Sequence, residues 1–383
     1  MSNYERDKKV YKFLLKTVAP VIKSRFNFEQ NLGFKAPEGP FLVICNHVTN
    51  LDMVWMADTI REHMYFVSSE HVVRSGLGGF ALNKVFHPIV REKATIGLST
   101  VVEMKKHLQA GHNVCIFAEG LRSSNGISFR MVESTAAVVK KLGFMVITCK
   151  LHGGFLTSPR WSHDIRKGMM TSEVVNIYSP EKLKSMSVKE IDEALNNDIF
   201  EDAYEYNKDR KIKYKSKKAA EGIEYELVVC PKCQKLGTIT SKGDKFMCPC
   251  GMNGQYDEYG YIHGDFDFTT ITEWDAWEKE MIANLPDIEG EKELVRHPGQ
   301  KLNEIVKGHK DVTIDTGDVI ITNKAITVGN TRIPFDEISG YDIFLHGYVL
   351  IMTKNKKYYE INNKKHRFPG YLYTLLIKRY KEN

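Results

Sequence analysis

The sequence contains no stretch of about 20 mostly apolar residues, which a membrane-spanning helix requires, and no continuous apolar core of about 7–15 residues near its start, which a secretory signal requires. The nearest approach, YKFLLKTVAPVIKSRF at 11–26, is interrupted by Lys12, Lys16, Lys23 and Arg25. A disulfide framework is missing too: seven cysteines in 383 residues, an odd number without regular spacing, do not describe a stapled secreted domain. A large excess of one charge sign is missing. Lys+Arg 54 against Asp+Glu 48 gives +6, which suits an anionic membrane surface or a phosphorylated ligand but is too small to argue nucleic acid. With 42% hydrophobic, 11% aromatic and 27% charged residues, wholesale disorder is excluded. The expectation is a cytoplasmic chain of two or three domains, at about 100–200 residues per domain.

Three short apolar runs, FLVIC at 41–45, NVCIF at 113–117 and FMVITC at 144–149, read as buried strands. Between them IGLSTVVEMKKHLQA at 96–110 and STAAVVKKL at 134–142 have helical spacing and stop at Gly111 and Gly143. Strands that are apolar throughout and alternate with helices predict an α/β domain with a mostly parallel sheet covered on both faces. Cys45, Cys115 and Cys149 are then small core residues.

Composition shifts at KDRKIKYKSKK, 208–218, read as a solvated linker or helix. Cys230, Cys233, Cys248 and Cys250 follow as C-P-K-C, fourteen residues, then C-P-C-G. Two close cysteine pairs in a cytosolic setting suit tetrahedral thiolate ligation of Zn²⁺, and a closed four-cysteine site is structural. Gly251 allows the tight turn of the second pair. A nucleic-acid-binding zinc ribbon is the sharper alternative, but 222–265 contains Asp244, Asp257, Glu258 and Asp265 and no arginine, so no nucleic-acid partner is expected. After Trp274 and Trp277 a helical, charged stretch is expected to about Lys310. Short apolar runs from 311 to 361 then read as antiparallel strands, with Gly329-Asn330 as a hairpin turn and a last helix over 371–380. In pattern this β-rich module resembles pleckstrin-homology-like domains. The domains predicted are 1–207, catalytic; 208–221, basic linker; 222–265, zinc-ribbon-like; and 266–383, helical segment and β-meander with a C-terminal helix.

Chemistry is expected beyond the carboxyl ends of the parallel strands. Asn46-His47-Val48-Thr49-Asn50-Leu51-Asp52 follows the first strand, and a turn would let Asp52 hold one ring nitrogen of His47 and leave the other to accept a proton. Phe117-Ala118-Glu119-Gly120-Leu121-Arg122-Ser123 follows the second, where Gly120 allows close approach and Arg122 suits phosphate oxygens. Arg91, ending HPIVR, adds a further cation. Taken alone, each segment could equally be an exposed turn.

Together and in this order, NHVTNLD, HPIVR and FAEGLRS resemble the glycerolipid acyltransferase family that includes 1-acylglycerol-3-phosphate acyltransferases, over about residues 1–180. The N-H-x-[ST]-x-x-D motif is matched by Asn46, His47, Thr49 and Asp52. The second motif's arginine is matched by Arg91, and F-P-E-G-[TS]-R-S by Phe117, Glu119, Gly120, Arg122 and Ser123. Ala118, Leu121 and Thr148 stand where the family has proline, Thr or Ser, and proline. The run LHGGFLTSPRWSHDIRKG at 151–168 and the zinc module resemble a bacterial subgroup with a C-terminal extension.

The resemblance implies transfer of a fatty acyl group from acyl-coenzyme A or acyl carrier protein to the hydroxyl of a lysophospholipid, foremost 1-acylglycerol-3-phosphate. His47 and Asp52 would be catalytic. Asn46, Thr49, Arg91, Glu119, Gly120, Arg122 and Ser123 would bind substrate. Because such substrates lie in a bilayer, docking at the inner face of the cell membrane is implied, and residues 8–26 mix cations with apolar residues as an interfacial helix does, although Pro20 weakens one continuous helix. The alternatives are the same chemistry on another lysolipid or a lipid-linked acceptor, or a non-catalytic zinc-dependent binding protein.

Overall fold

The computed structural model of the protein describes residues 3–30, 34–69, 87–91, 97–306, 310–344, 347–363 and 365–382, with the side chains of residues 3, 30, 69, 91 and 310 outside that description. The chain divides into two units, Met1–Pro159 with Arg166–Lys215, and Arg160–Ile165 with Ser216–Asn383.

The first unit begins with helices α1 (Asn3–Thr17) and α2 (Ala19–Phe26), separated at Val18. Pro20, in the first turn of α2, lacks the N–H that a continuous helix would use and restricts the residue before it. Strands β1 (Phe28–Gln30), β2 (Phe41–Cys45), β3 (Met64–Ser69), β4 (Ile89–Arg91), β5 (Asn113–Phe117), β6 (Met145–His152) and β7 (Met170–Tyr178) alternate with α3 (Asp52–Ile60), α4 (Leu98–Gln109), α5 (Thr135–Leu142) and α6 (Gly154–Thr157). Helices α7 (Pro180–Ser185), α8 (Val188–Ile199) and α9 (Ala203–Arg210) follow. The sheet order is β1-β7-β6-β2-β5-β3-β4. All neighbours run parallel except β6 and β7.

Successive side chains of a strand point to opposite faces, so strands covered on both faces are apolar at every position. Phe41, Val43 and Cys45 enter a core with Trp55, Met56 and Ile60 of α3 and with Tyr11 and Phe26 of α1 and α2. Leu42 and Ile44 enter another with Met104 and Leu108 of α4, Val139 of α5 and Leu195 of α8. Trp55 is fully buried and stacks on Phe28 at 4.5 Å. Helix ends follow local chemistry: Gly143 takes φ 70° after α5, and Ser187 and Glu190 form a reciprocal cap at the start of α8. No helix among the described residues is long and apolar enough to cross a membrane.

In the second unit a four-stranded antiparallel sheet, β8 (Thr240–Lys242), β9 (Lys245–Cys248), β10 (Met252–Tyr256) and β11 (Ile262–Gly264), holds part of the cysteine cluster. Helix α10 (Ile271–Ala283) follows, opened by a Thr270–Glu273 capping box. Next come β12 (Glu293–Val306), β13 (Lys310–Thr322), β14 (Ala325–Val328), β15 (Thr331–Pro334), β16 (Ile338–Phe344), β17 (Tyr348–Thr353) and β18 (Tyr358–Asn362), then α11 (Gly370–Lys381). These seven strands form one antiparallel sheet in the order β15-β14-β13-β12-β18-β17-β16. The expected hairpin forms, with Val328 opposite Thr331 across Gly329-Asn330.

The helical stretch expected to about Lys310 ends instead at Ala283, and 293–306 is a strand. Pro298-Gly299 cannot sit inside a helix at low cost, whereas a bulge between His297 and Gln300 accommodates both residues in β12. Strand β13 is one continuous strand of 13 residues, longer than the short runs read from the sequence, because its full length pairs with β12.

Candidate active site and a four-cysteine cluster

Backbone geometry alone brings the first and third sequence segments together. Strands β2 and β5 are parallel neighbours with Cys45 opposite Phe117, so the residues after each emerge at the same sheet edge. The backbone of His47 is held by the third segment: its N–H donates to Glu119 Oε1 at 2.7 Å, and its carbonyl accepts from the Ser123 N–H at 3.1 Å. Glu119 Oε2 accepts from the Phe129 N–H at 2.6 Å. Burial pushes the Glu119 carboxyl well up in pKa, against the pull of these two backbone donors and with a further push from Asp52 and Glu201.

Asp52 opens α3 and turns back over the preceding loop. Its Oδ2 lies 2.7 Å from His47 Nδ1 and accepts from the Val48 N–H at 2.7 Å; its Oδ1 accepts from the Thr49 N–H at 2.9 Å and the Thr49 hydroxyl at 2.6 Å. Facing a carboxylate, His47 Nδ1 carries the hydrogen, and Nε2 is the nitrogen left to accept a proton. The imidazole stacks on Phe117 at 4.9 Å, and its side chain is 26% exposed while that of Asp52 is 1% exposed. The pair therefore has a buried orienting group and a base that substrate can reach.

Asn46, Thr49, Glu119 and Ser123 are buried and give their side-chain polar atoms to neighbouring protein groups. Asn46 adds a rung to β6, donating to the Leu151 carbonyl at 2.9 Å and accepting from its N–H at 2.7 Å. Thr49 Oγ1 also accepts from the Trp55 indole N–H at 3.2 Å. Ser123 Oγ donates to the Ile127 carbonyl at 2.9 Å. Gly120 takes φ 77° in the turn after β5, and Arg122 reaches Asn50 Oδ1 at 2.7 Å and the Ser158 carbonyl at 3.2 Å. Arg91 ends β4, paired with Ser69 of β3, and its side chain lies outside the described residues. Burial pushes the Cys45 thiol well up, which removes it as a thiolate nucleophile.

Sequence reasoning missed Asn50, Ser158 and Gly154. A Cβ on Gly154 would lie 2.3 Å from Val48 Cγ2 and 3.3 Å from Thr49 Cγ2, so only glycine lets α6 pack against the His47 loop. The signal was the Gly153-Gly154 pair in the run at 151–168. Gly154→Ala is expected to destabilise the unit by about 1–3 kcal/mol, the usual cost of overpacking. Thermal melting checks this, and an unchanged midpoint would show that the loop yields freely. The Thr148 hydroxyl donates to buried Asp198 at 2.8 Å, and Asn176 and Tyr178 donate to the same carboxylate.

The second unit brings Cys230, Cys233, Cys248 and Cys250 together with all four sulfurs within 4.8 Å of one another, unlinked by disulfides. Cys230 and Cys250 are 3.6 Å apart and Cys233 and Cys248 3.8 Å. Gln234 at φ 57° and Gly251 at φ 87° form the turns that bend each pair inward. Tetrahedral ligands at the usual Zn–S length of about 2.3 Å would be about 3.8 Å apart, so the cluster fits such an ion.

Residues 25–152 match the family model described as Acyltransferase. Among solved structures, the chain resembles the 1-acyl-sn-glycerophosphate (LPA) acyltransferase PlsC from Thermotoga maritima, at 18% identity over 52% of this chain and 82% of that one, with a TM-score of 0.43. It also resembles the C-terminal domain of an unknown protein from Leishmania infantum, at 16% identity over 27% of this chain and 97% of that one, with a TM-score of 0.17. No curated protein matches. The span matched by the family model, 25–152, contains His47, Asp52, Glu119 and Arg122.

Proposed function

We propose that the protein transfers a fatty acyl group from acyl-coenzyme A or acyl carrier protein to the hydroxyl of a lysophospholipid, foremost 1-acylglycerol-3-phosphate, giving phosphatidate. The observation that carries this is the 2.7 Å contact of His47 Nδ1 with buried Asp52, which leaves Nε2 as the base. Nε2 takes the acceptor's hydroxyl proton as that oxygen attacks the thioester carbonyl. The C–O bond forms, the C–S bond breaks, and the proton passes from the imidazolium to the departing sulfur, releasing the free thiol. Asp52 keeps the ring oriented and stabilises the imidazolium. Arg122, at the same sheet edge, is the residue assigned to the acceptor's phosphate.

The acceptor is tested by offering lysophosphatidate, lysophosphatidylcholine and monoacylglycerol in mixed micelles with palmitoyl-coenzyme A. The expected order puts lysophosphatidate first, with Arg122→Gln removing that preference. An equal rate on monoacylglycerol would overturn the phosphate assignment.

The cysteine cluster supports a structural Zn²⁺ held by Cys230, Cys233, Cys248 and Cys250, which adds folding energy and leaves no open position for catalysis. Phe13, Val18 and Val21 are exposed at 63%, 42% and 70% on α1, between α1 and α2, and on α2, among Lys12, Lys16 and Lys23. Their exposure supports peripheral docking on the cytoplasmic membrane face. Seven antiparallel strands followed by α11 support the pleckstrin-homology-like reading of 293–381.

A further inference from the structure

In the first unit a cavity of about 650 Å³ is lined by Val21 and Arg25 of α2 and by Lys167, Met169, Ile212, Lys213 and Lys215, among others. Among the described residues lining it there is no Asp or Glu. Two of its lysines form a backbone pair: the Lys167 N–H donates to the Lys215 carbonyl and the Lys215 N–H to the Lys167 carbonyl, both at 2.9 Å. Lys167 and Lys215 are thus direct cross-strand partners. Directly opposite residues lie on one face with Cβ atoms about 5 Å apart, and like charges there are destabilising. The pairing sets the Lys167 and Lys215 side chains on one face, and with Arg25 lining the same hollow and no acidic residue among its described lining, they describe a site that suits an anion.

Topology then gives its place. Strand β7 runs antiparallel to β6 with Thr171 opposite His152, and β1 runs parallel to β7 with Phe28 opposite Met170. Residues 25–27 and 167–169 therefore precede their strands at the sheet edge where β2 delivers His47. At about 4.8 Å per strand, the cavity lies about 10–15 Å along that edge from the base. Its lining also includes the apolar Val21, Met169 and Ile212, and Val21 is exposed on α2 as Phe13 is on α1. Cations beside the exposed Val21 match the phosphate level of a bilayer, where a soluble anion would have no use for the apolar side chain.

We propose that this cavity holds the phosphate headgroup of an anionic membrane phospholipid that is not the substrate and so sets the His47 edge against the bilayer. The proposal deepens the membrane-docking part of the function above and rests on it, but not on the acyl chemistry. The test is co-sedimentation of the full chain with vesicles of phosphatidylcholine alone or with phosphatidylglycerol, without donor or acceptor. Lys167→Gln with Lys215→Gln is compared with wild type after circular dichroism confirms folding.

A lysine at an anionic surface contributes about 1 kcal/mol, roughly fivefold in partitioning, so the double variant should bind phosphatidylglycerol vesicles roughly 30-fold more weakly. Its binding to neutral vesicles should not change. Equal binding of variant and wild type to anionic vesicles would overturn the site alone. Failure of wild type to bind any vesicle would overturn membrane docking as well. If inorganic phosphate displaces the protein at matched ionic strength, or if an acidic carrier protein rather than the vesicle loses affinity in the variant, the lipid assignment falls.

Discussion

Replacing His47 with alanine is expected to lower the rate of acyl transfer by about 10²–10⁴-fold, the usual contribution of a positioned general base. The unit should remain folded. Asp52 retains the Val48 N–H, the Thr49 N–H and the Thr49 hydroxyl, and the backbone of residue 47 retains Glu119 and Ser123. Transfer from palmitoyl-coenzyme A to lysophosphatidate, measured beside a thermal melt of each protein, separates loss of chemistry from loss of structure. Asp52→Asn should behave differently. An amide in place of one oxygen sets an N–H against a backbone or hydroxyl donor, so both rate and melting temperature should fall. Equal turnover in wild type and His47→Ala, both folded, would sink the mechanism.

Metal removal is expected to have the larger effect on stability. Structural zinc supplies about 10–16 kcal/mol of apparent binding energy in small zinc-binding units, more than a typical domain's net stability of about 5–15 kcal/mol. Elemental analysis should find about one zinc per chain, lost in Cys230→Ser with Cys233→Ser. The tryptophan beside the cluster gives the optical readout. Trp274 is fully buried, its indole N–H donates to the Val229 carbonyl at 3.1 Å, and it packs on Phe246, Phe266 and Phe268. Chelation should shift its emission to the red and open the neighbourhood of 222–265 to protease. A metal-free protein whose melt a chelator does not alter would show that the thiols stand together without an ion.

Much of the first unit was legible because its signals are local. FLVIC and NVCIF read as buried strands since each residue meets a core on one face or the other, and Gly143 marks a helix end because its φ of 70° excludes most side chains. His47 and Asp52 are five residues apart, within one turn, so their contact is a short-range event that spacing can suggest. The cysteine pairs are legible for the same reason.

What spacing could not convey is which distant groups meet. Glu119 reads as a carboxylate for substrate, yet both of its oxygens face backbone N–H groups, one of them 72 residues away at His47. Asn46 reads as a motif residue and is in fact a rung to Leu151, 105 residues on. The strip Arg160–Ile165 belongs with the second unit although both of its flanks belong to the first, an exchange that no composition shift marks. In β12, charged residues alternate irregularly around Pro298-Gly299, and only pairing with β13 and β18 makes the segment a strand. Likewise, two lysines 48 residues apart become a cross-strand pair only once the backbone folds back on itself.

The sequence by itself therefore determined the strand and helix alternation of the first unit, the pairing of His47 with Asp52, and the four cysteines that meet in the cluster, because each depends on residues within a turn or a short run of one another. The tertiary structure alone decided which motif residues are bound to neighbouring backbone, where Gly154 must lack a side chain, and how Lys167 and Lys215 come to be paired, because those contacts are made between segments that sequence distance does not relate.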